Sequence, residues 1–175
     1  VFQNELKRSI AQQNYTIVTT LAREVDNLVR SVGAHIEGMA RVMDGYQEIT
    51  PERAETLLKA QRDDLTQFDN DLYLYSPDLT LLATARGAAL DCGSDCPHEQ
   101  YLKTTLLTRS SQVSEPFFSG QTSPRPIMMF TSPVLSADGD VIAVLAGTVD
   151  LMNRNFIRRL LDVKLVEAGY LYLYN

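Results

Sequence analysis

The segment Leu72-Tyr73-Leu74-Tyr75-Ser76-Pro77-Asp78-Leu79-Thr80-Leu81-Leu82-Ala83 contains two apolar runs separated by a turn sequence. The first run is Leu72–Tyr75 and the second is Leu79–Ala83. Between them, Pro77 fixes its own φ, and the Asp78 side chain can accept a hydrogen bond from the following backbone. Short aliphatic and aromatic runs on either side of such a turn are typical of a β-hairpin. This segment therefore predicts the first two strands of a sheet.

A second hairpin is predicted further along the chain. The apolar stretches Ile127–Leu135 and Val141–Val149 flank Ala137-Asp138-Gly139-Asp140. Asp-Gly between two such stretches is a strong short-range signal for a primed hairpin turn, because glycine adopts positive φ without steric cost. The segment Gln112–Phe118 is also strand-like. We therefore expect an antiparallel sheet that is built largely from the two hairpins.

The N-terminal segment carries an apolar stripe at helical spacing. Its repeat of about 3.67 residues per turn is close to the eleven-residue period of a straight or slightly right-handed bundle. At 1.5 Å per residue the helix is about 65 Å long, which exceeds the reach of one small domain. We therefore expect its first half to pack against a second copy in a parallel homodimer, with a helix packed entirely on its own domain as the alternative. The stripe consists of Ile10, Ile17, Leu21, Val25, Leu28, Val32, Ile36, Met39 and Met43.

Capping residues mark the ends of the predicted helices. Gly45 is expected to end the long helix. Thr50-Pro51-Glu52 begins a second helix, with threonine as N-cap, proline at the first position and an acid in the first turn. This second helix is predicted to run to about Phe68. Pro97-His98-Glu99 opens a short third helix that ends near Arg109.

The predicted order of elements is helix, helix, two strands, helix, three strands, helix and one strand. The last helix covers Asn153–Val163, and the last strand begins at Gly169. Antiparallel strands with helices grouped to one side of the sheet make an α+β domain. With 175 residues, the chain is long enough for one such domain and an attached segment.

Composition and charge argue against several function classes. Hydrophobic residues make up 45% of the chain and charged residues 22%, which is too apolar for a disordered protein. The formal net charge of −6 and the lack of a basic stripe argue against a nucleic-acid partner. No apolar run approaches the roughly 18 residues that cross a bilayer. The sequence has no nucleophile–base–acid set, phosphate-binding glycine loop or paired-acid motif, so we expect neither an enzyme nor a cofactor.

The two cysteines, Cys92 and Cys96, are separated by Gly-Ser-Asp, which is typical of a loop. The only histidines are His35, in the long helix, and His98, so the ligands for a four-coordinate zinc site are missing and no metal is expected. A local disulfide is the prediction, with two free buried thiols as the alternative. A disulfide favours an oxidising compartment, such as the periplasm or the extracellular space.

Several segments together carry a resemblance to a known family. They are the long leading helix, Leu72-Tyr73-Leu74-Tyr75-Ser76-Pro77-Asp78, Tyr101-Leu102-Lys103, Val113-Ser114-Glu115-Pro116-Phe117, Pro133-Val134 before Asp138-Gly139, and Gly147-Thr148-Val149-Asp150-Leu151. Over nearly the whole chain, this layout resembles the Cache domains, the extracytoplasmic PAS-like sensors of bacterial chemoreceptors, histidine kinases and diguanylate cyclases. The resemblance implies a periplasmic sensor domain of a signal-transduction protein that is anchored in the inner membrane.

The resemblance also implies an organisation in three parts. Residues 1–48 would form the dimerisation and signalling helix, and residues 49–152 the membrane-distal Cache domain. Residues 153–175 would form a connecting helix and the first strand of a proximal domain. In double Cache proteins the proximal sheet opens with a strand similar to Gly169-Tyr170-Leu171-Tyr172-Leu173. The chain is therefore expected either to stop early in a proximal domain or to be a single-Cache protein.

Amine-binding Cache domains carry a set of ligand-binding residues that this sequence matches in part. They have an Arg and a Trp just before a helix Tyr, a Tyr and an Asp after a Glu-Pro pair, and a final Asp ending the last strand. Tyr101 and Asp150 match the helix Tyr and the final Asp. This sequence departs from the set at four positions. His98 and Gln100 stand in place of the Arg and Trp, and Phe117 and Ser119 stand in place of the Tyr and Asp. Without the Arg, a ligand carboxylate loses its best-matched donor, so a generic amino-acid receptor is disfavoured.

A partly apolar ligand pocket is nevertheless expected, because small-molecule sites combine apolar walls with a few placed polar groups. Its predicted residues are Tyr101, Phe117 and Phe130 as aromatic walls, and His98, Ser119 and Asp150 as polar groups. Alternatively, Tyr101 and Phe117 belong to the core, His98 lies on the surface, and Asp150 caps a following helix. We expect a sensor of a small external solute, with a ligand-free structural or dimerisation domain as the alternative.

Overall fold

The computed structural model describes residues 2–61, 68, 71–87, 90, 97–120 and 124–153. The helices and strands are α1 (Phe2–Val42), α2 (Pro51–Ala60), β1 (Asp71–Tyr75), β2 (Leu81–Thr84), α3 (His98–Thr108), β3 (Gln112–Val113), β4 (Phe117–Ser119), β5 (Arg125–Leu135) and β6 (Val141–Asp150). Residues Ser31–Asn153 form one compact unit, which contains the whole sheet, whereas the first 30 residues belong to a second unit. The predicted α+β class, with a long N-terminal helix and an antiparallel sheet, is confirmed.

The sheet is antiparallel throughout, with strand order β2-β1-β6-β5-β3, and β4 also pairs with β5. Strands β5 and β6 pair from Ile127 to Leu135 and form the predicted second hairpin. Its turn has Gly139 at φ +85, and the Gly139 amide donates to the Ser136 carbonyl at 3.0 Å. The Asp-Gly signal therefore identified this turn because the turn needs positive φ.

The first hairpin, between β1 and β2, is also confirmed, but its second strand starts two residues later than predicted. Leu79 lies in the left-handed region at φ 67 and belongs to the turn. The Ser76 amide donates to the Thr80 carbonyl at 2.9 Å, and the Ser76 hydroxyl also bonds Asp78 and Thr80. These side-chain bonds hold a leucine in a conformation that glycine usually adopts.

The end of α1 and the start of α2 follow the predicted caps closely, whereas α2 itself ends at Ala60. Helix α1 ends at Val42, and Gly45 follows at φ +92. The Gly45 amide donates to the Leu135 carbonyl at 2.8 Å, and the Leu135 amide donates to the Asp44 carboxylate at 2.7 Å, so this end is fastened to β5. At the start of α2, the Thr50 hydroxyl accepts from the amide of Arg53 at 3.4 Å, as expected for an N-cap.

The predicted strand Gln112–Phe118 is divided into β3 and β4. Between them, the Ser114 amide donates to the Met129 carbonyl, and the Met129 amide donates to the Ser114 hydroxyl, both at 2.8 Å. A side chain thus replaces a backbone acceptor, and Pro116 has no amide hydrogen for a ladder. The edge of the sheet is therefore interrupted at this point.

The two faces of the sheet have different neighbours. A Cβ built on Gly147 would meet the Phe68 ring at 2.4 Å, and Phe68 stacks on His35 of α1 at a centroid distance of 5.9 Å. The opposite face contacts α3, where the Thr105 and Thr131 hydroxyls lie 2.6 Å apart. We call these surfaces the Phe68 face and the α3 face.

Some sequence predictions concern residues outside the described ranges. They are the later part of the second helix (62–67), the cysteines at 92 and 96, and the helix and strand predicted between 154 and 175. Within the described residues, no helix is both long enough and apolar enough to cross a membrane.

Candidate ligand-binding site

Asp150 is the last residue of β6, and its carboxylate lies on the α3 face. It pairs with Ile127 across the strands, and alternation puts it on the same side as Ala146, the partner of Thr131. The side chain is 8% exposed. One carboxylate oxygen accepts from the amide of Met152 at 2.8 Å, so Asp150 also caps the turn after the strand.

Arg125 supplies a cation to the other oxygen of this carboxylate. Its Nη1 lies 2.6 Å from Asp150 Oδ2, a short charge-assisted contact. Ser119, a predicted site residue, lies directly opposite Arg125 at the end of β4, and its hydroxyl donates to the Arg125 carbonyl at 3.5 Å. The structure therefore brings Ser119 and Asp150 to the same end of the sheet.

A second buried carboxylate lies on the neighbouring strand. Asp71 opens β1, is fully buried, and accepts from the amides of Leu72 at 2.7 Å and Arg86 at 3.0 Å. Its own amide donates to the Thr148 hydroxyl at 3.2 Å. Asp71 was not among the predicted site residues. An acid at the start of an otherwise apolar buried strand was the available signal.

Register determines how close the two carboxylates are. Asp71 pairs directly with Thr148, and Asp150 is two residues further along the same strand. Diagonal neighbours of this kind lie about 7–8 Å apart on one face of a sheet. One end of the α3 face therefore carries two buried carboxylates on neighbouring strands.

Aromatic side chains continue the α3 face below the acids. Burial raises the pKa of the Tyr73 phenol, and the Asp71 carboxylate raises it further, while a hydrogen bond with Thr148 opposes the shift. Burial also raises the pKa of Tyr75 to about 12. Both phenols therefore stay neutral at physiological pH and can donate or accept hydrogen bonds.

His98 and Tyr101 lie on α3, three residues apart. The His98 ring is 6.4 Å from the Tyr75 ring, and burial lowers the pKa of His98 below its ordinary value. The Tyr101 hydroxyl accepts from the Glu115 amide at 3.1 Å, so it holds the connection between β3 and β4. Tyr101 thus has a structural partner of its own, and its ring is half-buried.

Phe117 lies on the α3 face, whereas Phe130 does not. Phe117 packs against the cluster that contains Tyr73, Tyr75, Leu102 and Met129. Phe130 pairs with Gly147 and therefore lies on the Phe68 face, almost completely buried. The prediction that Phe130 lines the same pocket is wrong, because neighbouring strand residues point to opposite faces.

The described part of this face can bind a cationic or donor-bearing group through its acids and an apolar group through its rings. In the parts of the chain that the structure describes, no group of three or more histidine, cysteine, aspartate or glutamate side chains could hold a metal ion. The chemistry offered is therefore recognition by charge, hydrogen bonds and aromatic contact.

No family model and no curated protein matches the sequence, but solved structures match the fold. One is the ligand-binding domain of the Pseudomonas aeruginosa amino acid chemoreceptor PctB in complex with L-Arg. Its TM-score is 0.65 at 17% identity, over 89% of this chain and 58% of that one. The chain has the fold of a chemoreceptor ligand-binding domain.

Two other chemoreceptor domains match to a similar degree. The P. aeruginosa PctC domain in complex with GABA has a TM-score of 0.63 at 23% identity, over 79% of this chain and 61% of that one. The Campylobacter jejuni Tlp3 domain in complex with L-valine has a TM-score of 0.63 at 14% identity, over 90% of this chain and 65% of that one. This chain thus spans 58–65% of the length of these three domains. The Cache-like fold inferred from the sequence is confirmed.

Proposed function

We propose that this domain binds a small solute with a cationic group between α3 and the sheet, as the extracytoplasmic sensor of a membrane-anchored signal-transduction protein. The observation that carries the proposal is the pair of buried carboxylates, Asp71 and Asp150, on the α3 face. The likeness to chemoreceptor ligand-binding domains supplies the context.

Burying two carboxylates on adjacent strands is costly for a domain that has only a structural role. Each charge must be removed from water, and like charges at this spacing repel one another. Apolar residues at positions 71 and 150 would give a more stable sheet end by the same reasoning. Desolvated titratable groups held by specific partners are typical of functional sites.

The aromatic residues on the α3 face fit the same kind of ligand. Phe117 and Tyr101 can provide apolar walls, and aromatic faces attract cations. L-Arg, GABA and L-valine, the solutes bound in the three similar domains, each carry an amino group. An amino group is therefore a feature that these ligands share, and we propose that Asp150 binds such a group in this chain.

Position 98 distinguishes this site from that of the amine-binding Cache domains. Histidine stands where the resemblance implies an arginine, and its lowered pKa keeps it neutral at physiological pH. Position 98 therefore offers no permanent positive charge to a carboxylate of the ligand. We propose that simple amines and guanidines bind at least as well as α-amino acids do.

Thermal unfolding of the purified chain with individual solutes tests the proposal. The panel contains L-arginine, GABA, L-valine, methylguanidinium and succinate, each at matched ionic strength. A ligand present at 100 times its Kd stabilises the folded state by about 2.7 kcal/mol. We expect at least one cationic solute to raise the melting temperature and succinate to leave it unchanged. A shift only with succinate would contradict the proposal.

The second candidate is a ligand-free dimerisation domain. It is favoured by the apolar side chains that α1 leaves exposed, namely Ile10, Tyr15 and Val18. In that case sedimentation would show a dimer, while no solute in any class would change the unfolding temperature. We propose that dimerisation through α1 accompanies ligand binding rather than replacing it.

The predicted disulfide between Cys92 and Cys96 supports an extracytoplasmic location for this sensor. Both residues lie outside the described ranges, so their pairing stays a prediction. Thiol titration of the unfolded, unreduced chain tests it. No reactive thiol is the expected result, and two reactive thiols per chain would remove this support for the compartment.

A further inference from the structure

The ion pair between Arg125 and Asp150 is strongly asymmetric in its exposure. The arginine side chain is 61% exposed, whereas the carboxylate is 8% exposed, although their charged atoms are only 2.6 Å apart. The guanidinium is therefore the group of this pair that has solvent beside it. The carboxylate has no comparable freedom, because it lies at the end of a paired strand and is held by the Met152 amide.

The ion pair between Arg109 and Asp140 provides a comparison within the same domain. Its arginine is equally exposed, at 61%, but its aspartate is 72% exposed and the contact is longer, at 3.3 Å. When that pair opens, both charges are solvated. When the Arg125 pair opens, a desolvated carboxylate loses this counter-ion, and that loss is unfavourable.

A cation that takes the place of Arg125 would remove this penalty. The cation must be small enough to reach Asp150 and must donate hydrogen bonds in the way a guanidinium does. A ligand with an amino or guanidino group meets both requirements. The energetics of the pair therefore favour exchange of one cation for another over simple opening.

We propose that Arg125 is a built-in competitor: it fills the cation subsite at Asp150 in the ligand-free domain, and the cationic group of the ligand displaces it. This inference rests on the proposed function and adds the residue that sets the affinity. A cationic ligand can bind only while Arg125 is away from the carboxylate. The more of the time Arg125 occupies Asp150, the weaker the apparent affinity for every cationic ligand. The displaced guanidinium swings into solvent at the start of β5.

The size of the effect follows from the occupancy of the pair. An apparent Kd equals the intrinsic Kd divided by the fraction of open sites, so a pair closed nine-tenths of the time weakens binding about tenfold. Replacing Arg125 by glutamine keeps a polar side chain and removes the competing charge. The variant is therefore expected to bind small cations about tenfold more tightly.

Methylguanidinium chloride is the probe, because it reproduces the group that is removed. Binding is measured by calorimetry on the wild-type chain, R125Q, R109Q and the double variant R125Q/D150N. We expect R125Q to bind about tenfold more tightly than the wild type, R109Q to match the wild type, and the double variant to lose the gain. R125K, which keeps a charge but loses the planar fork, should lie between the wild type and R125Q.

Three outcomes would overturn the inference. Equal affinity of R125Q and the wild type would show that Arg125 does not compete for the subsite. An equal gain in R109Q would show a general effect of net charge. Weaker binding by R125Q would make Arg125 a ligand-binding group instead of a competitor. If R125Q does not fold, R125K decides by the same comparison, since affinity no higher than that of the wild type contradicts the inference.

Failure of the proposed function gives a different pattern. If the wild-type chain binds no solute of the panel while R125Q binds methylguanidinium at Asp150, the competitor exists without a sensor. If the wild type binds a cationic solute and R125Q binds it equally well, the sensor exists without the competitor.

Discussion

The hydroxyl oxygens of Thr105 and Thr131 lie 2.6 Å apart in the buried space between α3 and β5. The Thr105 hydroxyl also bonds the Tyr101 carbonyl one helical turn earlier, at 2.9 Å. This contact fixes α3, with His98 and Tyr101, above the sheet that carries the two buried acids. The position of α3 thus depends on a polar contact within an apolar layer.

Removal of one of these hydroxyls should destabilise the domain. Thr105→Val leaves the Thr131 hydroxyl buried without this partner, which is expected to cost about 1–3 kcal/mol in the free energy of unfolding. Adding Thr131→Val should recover part of the loss, because both polar groups are then gone. Urea unfolding of the single and double variants measures the coupling. Thr104→Val, whose hydroxyl bonds only within the exposed side of α3, is the control and should change stability by no more than about 0.5 kcal/mol.

Gly147 is expected to tolerate no larger side chain. A Cβ at this position would lie 2.4 Å from the Phe68 ring and 2.9 Å from Leu72, so Gly147→Ala should lower the free energy of unfolding by about 1–3 kcal/mol. Gly38→Ala is the matched control, because its Cβ would meet nothing within 4 Å and lies inside α1. That variant should gain about 0.5–1 kcal/mol. Equal effects of the two substitutions would contradict the packing of Phe68 on the sheet.

Stability should depend on pH through His98. Burial lowers its pKa below the ordinary value of 6.5, although the neighbouring Glu99 opposes the shift. At a pH between the folded and the unfolded pKa of His98, the unfolded chain binds more protons than the folded chain. The contribution of neutral, buried His98 to the free energy of unfolding is therefore complete above pH 6.5 and is lost as the pH falls towards the folded pKa. Melting temperatures from pH 8 to pH 5 should therefore fall less for His98→Gln than for the wild type.

Nuclear magnetic resonance titration of the His98 ring checks the cause of this shift. Glu99→Gln removes the charge that raises the His98 pKa, so the variant should titrate at a still lower pH than the wild type. A pKa of His98 at or above 6.5 would contradict the burial of this ring against Tyr75.

Dimerisation through α1 is expected to involve its exposed apolar side chains. Ile10 is 48% exposed, whereas Leu21 of the same stripe is already buried within a single chain. Ile10→Glu combined with Ile17→Glu should weaken a dimer at least tenfold, since each buried aliphatic side chain contributes roughly 1.5–3 kcal/mol. Sedimentation equilibrium measures the dissociation constant. Val42→Glu, at the end of the helix, is the control, and a monomeric wild-type chain at high concentration would refute this prediction.

The hairpins and helix caps could be predicted because their signals are local. Asp138-Gly139 and Thr50-Pro51-Glu52 act within a few residues, and both are found where the sequence places them. The break between β3 and β4 was missed because it depends on bonds between Ser114 and Met129, which are distant in the sequence. Leu79 was assigned to a strand because leucine rarely adopts the left-handed conformation that this residue has in the turn.

The site could be predicted only in part, because its geometry depends on strand register. Asp150 could be named because it matches the final Asp of the amine-binding Cache domains. Phe130 was misassigned because a shift of one residue moves a side chain to the other face, and the sequence alone does not fix the register. Asp71 and Arg125 were missed because their partners lie on strands that are far away in the chain.

The most direct test compares two adjacent phenylalanines and the buried acid that shares the α3 face with one of them. Phe117 packs on the α3 face, whereas Phe118 is 66% exposed and points away from it. Calorimetric titration with methylguanidinium, or with the best cationic solute of the panel, is performed on Asp150→Asn, Phe117→Ala and Phe118→Ala. We expect the first two variants to weaken binding at least tenfold, which corresponds to about 1.4 kcal/mol, and Phe118→Ala to match the wild type. Unchanged affinity in folded Asp150→Asn and Phe117→Ala would contradict the claim that a cationic solute binds on this face.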